Sequence, residues 1–65
     1  MLGDREIWAC ANHVLTRYGA DAAFHAAQRA DELLEKGDLD GHRVWLSILD
    51  RVSKLEAQRP ASALH

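Results

Sequence analysis

Apolar residues recur along this chain at intervals of three and four, and no stretch alternates apolar with polar in period two. The first spacing marks one face of an α-helix; the second would mark a half-buried strand. The pattern is therefore all-α. Gly19 and Gly37 cut it into three segments of similar length. Glycine suits such stops because, without a Cβ, it enters the left-handed conformation that ends helices.

The first segment predicts a helix from Asp4 to Tyr18, with Ile7, Ala11, Val14, Leu15 and Tyr18 in one stripe and Trp8 on its flank. Asp4 is expected to cap its first turn. The second predicts a helix from Asp21 to Lys36, with Asp21 as cap or first-turn acid. Its inner face reads as Ala23, Phe24, Ala27, Ala30 and Leu34, with Leu33 on the edge. Alanine there lets a neighbouring backbone approach closely. Glu32 and Lys36 stand i,i+4 with the acid first, the favourable order.

The third helix is expected to start near Asp38 or Asp40 and to run to Gln58, before Pro60 disfavours helix in the residue preceding it. Asp50 and Lys54 form a second i,i+4 pair. Both connections are short, so consecutive helices are expected to turn back on each other. The expected architecture is a small antiparallel three-helix bundle, one domain over residues 1–59 with a frayed tail at 60–65. Its expected core is Ile7, Ala11, Val14, Leu15, Phe24, Ala27, Leu34, Trp45, Ile48 and Val52.

One helix carries more apolar surface than a bundle needs. Val44, Trp45, Leu46, Ile48, Leu49, Val52 and Leu55 span an arc of about 200° at 100° per residue, whereas a surface helix usually shows a stripe little over 100° wide. Leu46 and Leu49, with an edge of Trp45, are the residues left over, and they form the expected interface.

Composition narrows the function. At 65 residues the chain holds one small domain. Such domains are marginal and usually need disulfides, a metal, very regular helix packing or self-association. Cys10 is the single cysteine, so no internal disulfide forms. The net charge of −2, with signs interspersed, is unlike a nucleic-acid binder. The charged start Gly3-Asp4-Arg5-Glu6 lacks the apolar stretch of a signal peptide, and no apolar run is long enough to span a bilayer. A cytoplasmic protein without membrane attachment is expected.

Candidate chemistry is sparse. Cys10 and His13 are neighbours at i,i+3, the start of a thiolate–imidazole pair or of a metal site. No third residue is placed to orient the histidine, and His25, His42 and His65 have no ligand-spaced partner. The helical wheel puts His13 and His25 in solvent. Asp38-Leu39-Asp40-Gly41 has part of a calcium-loop pattern, but Lys36 and Ser47 stand where the first and last carboxylates belong. A helix-turn-helix would present Asp38 and Asp40 to phosphates. Neither enzyme activity, metal, cofactor nor small-molecule substrate is expected. Asp31, Glu32, Glu35, Asp38 and Asp40 form an acidic patch around the second turn, read as a solvated helix end.

Two stretches carry a resemblance. Ile7-Trp8-Ala9-Cys10-Ala11-Asn12-His13-Val14 followed by Tyr18-Gly19, and Gly37-Asp38-Leu39-Asp40-Gly41 with Trp45 and Ile48, resemble the signatures of a group of short alphaproteobacterial helical proteins, a domain of unknown function. The resemblance runs from Ile7 to Leu55 and implies a small bacterial cytoplasmic protein; it implies no activity and no site. The expected function is a non-enzymatic helical module that binds a protein partner or itself through the third helix. The alternative is a nucleic-acid-associated regulator, or an acidic-surface inhibitor of a basic protein.

Overall fold

The computed structural model describes residues 3–58. Within them lie α1 (Asp4–Tyr18), a 3₁₀ turn (Gly19–Asp21), α2 (Ala22–Glu35) and α3 (Leu39–Gln58), and no strand. The tail expected to fray at 60–65 lies outside the described residues.

The three helical segments fall where the apolar periodicity puts them, but α2 does not fold back on α1. Gly19 (φ 55°, ψ −123°) breaks the α-helical hydrogen bonding while its own N–H still donates to the Leu15 carbonyl. The next three residues are already helical, so no loop exists in which the chain could reverse. A return needs a connection of a few non-helical residues. α1 and α2 are therefore one long bent run, and the antiparallel three-helix bundle is corrected to this run with α3 laid along it.

Partners along α3 fix its direction. His42 meets Ala30, Trp45 meets His25, and Arg51 meets Asp4. Going forward on α3 means going backward through α2 and then α1, so α3 is antiparallel to both. The radius of gyration is 12.3 Å and the long axis 42 Å. A compact chain of this length would have a radius of about 10–11 Å, so the molecule is elongated.

The second junction does reverse. Gly37, at φ 82°, ends α2 in a Schellman motif: its N–H donates to Leu34 O (3.0 Å) and the Asp38 N–H to Leu33 O (2.9 Å). Asp38 then caps α3 by accepting from the Gly41 N–H at 2.9 Å. A Cβ on Gly41 would lie 2.7 Å from the Asp38 carboxylate and 3.1 Å from Leu33. The bare backbone is what admits the cap there. Capping elsewhere differs from expectation. Gly3, not Asp4, is the N-cap of α1, with the Glu6 carboxylate accepting its N–H at 2.9 Å. Asp21 makes no capping bond.

The buried core is thin: Ala11, Val14, Leu15, Ala22, Ala26, Ala30, Ile48 and Val52. Half of these are alanines, and Val52 is the largest side chain with essentially no exposure. Ile7, Trp45, Leu49 and Leu55 pack around it, half-buried. The expected inner face of α2 holds at Ala30 and is otherwise off by one position. Ala22, Ala26 and Ala30 face α3, while Ala23 and Ala27 lie on the edge. Phe24 is 71% exposed and Leu34 48%, so neither belongs to the core. The reason is topological: that face would be covered by α1 in an antiparallel bundle, and here α1 continues away from it.

Candidate functional site

The bend gives the α2–α3 hairpin two unlike sides. On one, α1 packs across it. Tyr18 stacks on His25 with ring centroids 3.9 Å apart, and His25 meets Trp45 edge-on at 5.8 Å. Arg29 lies over the Trp45 ring at 5.9 Å and pairs with Glu32 at 2.9 Å. Glu32 thus pairs back to Arg29, where the sequence suggested Lys36. His25, expected in solvent, is half-buried between two aromatic rings.

Farther along the same side, Trp8 donates from Nε1 to Asp4 (3.1 Å), and Arg51 donates to Asp4 and Asp50 at 2.6 Å each. The guanidinium also covers the Trp8 ring at 5.2 Å. Lys54 reaches Asp50 at 3.1 Å, the expected i,i+4 pair. The hydrogen bond from Arg51 holds the Asp4 carboxyl below its ordinary range, and that from Lys54 does the same for Asp50. The two carboxylates in turn hold Arg51 more firmly protonated, Asp4 first. This node ties the first turn of α1 to the later turns of α3.

Between α1 and α3 lies an apolar hollow of about 360 Å³ lined by Ala9, Cys10, His13, Val14, Trp45 and Ile48. Cys10 is half-buried and His13 exposed. Both line the hollow, but neither orients the other: His13 makes no hydrogen bond among the described residues. Among the described residues no three His, Cys, Asp or Glu side chains gather as metal ligands. His42 donates from Nδ1 to the Ala30 carbonyl at 2.7 Å, which occupies that nitrogen. In the acidic patch, Asp38 is engaged as a cap and Glu32 with Arg29, while Asp31, Glu35 and Asp40 stand exposed. His65 lies outside the described residues.

The other side of the hairpin is open. Leu46 is 44% exposed, as its place at the end of the wide arc requires; Trp45 and Leu49 are half-buried and packed against the core. Leu46 and Leu49 come one and two turns after His42, on the side of α3 that reaches Ala30. Ala27 and Leu34 flank Ala30 by one turn on α2 in the same way. Leu39, 52% exposed, precedes Leu46 by two turns on the same side. By helical spacing Leu34 and Ala27 on α2 and Leu39 and Leu46 on α3 share this side of the hairpin as an apolar strip, while Phe24, about 160° round from the buried alanine row, lies on the back of α2.

The width of the arc anticipates the exposure of Leu46. Phe24 and Leu34 read as core in the sequence, which does not single out Leu39. The signal available was a doubled alanine pattern in α2: Ala22, Ala26 and Ala30 form one row and Ala23 and Ala27 the next. Both rows can pack, and only one α3 exists to cover them.

The chain matches, over residues 3–60, a family of unknown function, DUF6961. It belongs to that family. No curated protein and no solved structure matches it. Membership agrees with the expected domain of unknown function and brings with it no activity. Among the described residues of this DUF6961 protein, no helix is long and apolar enough to cross a membrane.

Proposed function

We propose that this DUF6961 chain is a non-enzymatic protein-interaction module that presents the open side of the α2–α3 hairpin, centred on Leu46 with Leu49 behind it, to a protein partner; Trp45, the third residue of the expected interface, lies on the side packed by α1. One observation carries the reading. Of the five large hydrophobic residues left exposed among those described, Leu34, Leu39 and Leu46 fall by helical spacing on the side that α1 does not cover, while Phe24 lies on the back of α2 and Tyr18 against His25. Scattered exposed leucines are ordinary on a small protein. A contiguous strip is what marks a contact surface. The same reading sets the protein in a bacterial cytoplasm, on the strength of its two sequence motifs.

The test compares proteins captured from the native cell by the wild type and by Leu46→Glu. The position is exposed, so the variant should keep its helical circular dichroism. Loss of specific partners with the fold intact supports the reading. An unchanged set of partners contradicts it.

A further inference from the structure

We infer that the occupant of this strip is a second copy of the chain, docked antiparallel across a two-fold axis near Leu46. The inference rests on the interaction reading above and adds the partner. Its basis is the charge around the strip, which suits the same surface turned end for end.

Leu39, Leu46 and Ser53 succeed one another at intervals of seven, with His42 and Leu49 between them. That is a short seam of the kind that pairs helices side by side. Arg43 and Asp50 flank it, also seven apart, and therefore lie on the same side of the seam. In an antiparallel pair, residues at equivalent flanking positions face each other. With the axis between residues 46 and 47, Arg43 of each copy meets Asp50 of the other, which gives two reciprocal ion pairs. Arg43 is exposed and has no ion pair within its own chain among the described residues. Asp50 keeps half its side-chain surface exposed despite its bonds to Arg51 and Lys54.

The ends of the hairpin select the same direction. Asp31, Glu35 and Asp40 crowd the turn at one end. A parallel pair would stack two acidic turns on each other, whereas the antiparallel pair sets them at opposite ends. It also joins the Leu46 side chains at the axis and lays the Ala23–Ala27 rows close together. The thin core gives a reason for such a pairing. A domain of this size with a single cysteine, and so no internal disulfide, gains burial from a symmetric partner.

Sedimentation equilibrium of the full chain, from micromolar to millimolar concentration, tests this. The wild type should form dimers and Leu46→Glu should be monomeric. Arg43→Asp should weaken the dimer by about fivefold to tenfold, since two exposed attractions become repulsions. Arg43→Asp with Asp50→Arg should restore most of the loss, and circular dichroism of each variant confirms that the helices persist. A wild type that stays monomeric throughout overturns the inference while leaving the capture experiment with Leu46→Glu to judge the interaction reading. A dimer indifferent to Arg43→Asp, or not rescued by the double reversal, overturns the antiparallel pairing.

Discussion

Gly19 and Gly37 look alike in sequence, and both have positive φ, yet one bends the chain and the other reverses it. At Gly37 the Schellman bonds close α2 on itself, and two residues on, α3 begins under the Asp38 cap. The free N–H groups of the new helix are thereby met in a new direction. At Gly19 the break leads at once into a 3₁₀ turn whose carbonyls and N–H groups continue the helical ladder, and Asp21 makes no cap. A glycine therefore states where a helix stops. The capping chemistry just after it states where the chain goes next. The open side of the hairpin is a consequence of that difference, because a second reversal would have covered it with α1.

The largest effect should come from the residue that holds α3 against both arms. Ile48 is buried and also lines the hollow shared with α1. Ile48→Ala should cost roughly 2–5 kcal/mol in urea denaturation, much of the stability of so small a domain.

The glycines come next and should respond differently. No neighbour stands within 4 Å of a Cβ built at either one, so alanine meets backbone strain alone. Gly37→Ala should cost about 1–2 kcal/mol, with the overall dimensions kept, since the chain there has no alternative to reversing. Gly19→Ala meets a harsher strain, because φ 55° with ψ −123° lies outside the left-handed helical basin, but it has an escape, because the bend can relax toward a straight helix. Small-angle scattering should then show a larger radius of gyration for Gly19→Ala and no change for Gly37→Ala. Equal dimensions in both would break the comparison.

The caps should differ by a smaller amount. Asp38→Ala should lose about 1 kcal/mol, and Asp21→Ala should fall within about 0.5 kcal/mol of the wild type. The smallest effect is in acid. Asp4 and Asp50 have folded-state pKa values below the ordinary 3.8, so they contribute stability above that value and lose it as pH falls through their lowered ones. Chemical denaturation between neutral pH and the acid limb should show this fall in the wild type. The slope should be shallower in Arg51→Gln, which removes the cause at Asp4. The pairs are solvent-exposed, so salt should shrink the difference.

Much of this was legible in the residues. The period of 3.6 and the two glycines locate the helices to within one or two positions among the described residues, and the arc of α3 anticipates the exposure of Leu46. The junction was not, because Gly19 and Gly37 differ only in the capping of the next helix, and Asp21 reads as good a cap as Asp38. The facing of α2 was not legible either. Its two alanine rows are equivalent by periodicity, and the bulk of Phe24 and Leu34 pulls a sequence reading toward the row that the fold leaves outside. His25 was misplaced for a related reason. Its partners Tyr18 and Trp45 come together only because the run bends at Gly19 and α3 passes beneath.

The bend itself is open to direct measurement. Spin labels at Arg5→Cys and Glu35→Cys, in a Cys10→Ser background diluted with unlabelled chain, report the separation of the two ends of the run. An antiparallel α1–α2 pair would set these positions side by side, at an interaxial distance of about 10 Å. In the bent run, Asp4 is held at Arg51 while Glu35 precedes the turn into α3. The stretch of α3 from Leu39 to Arg51 then lies between them, about 20 Å at 1.5 Å per residue. A distance distribution centred at or above about 20 Å is the expected result; a distribution centred near about 10 Å would contradict the bent run and the open side with it.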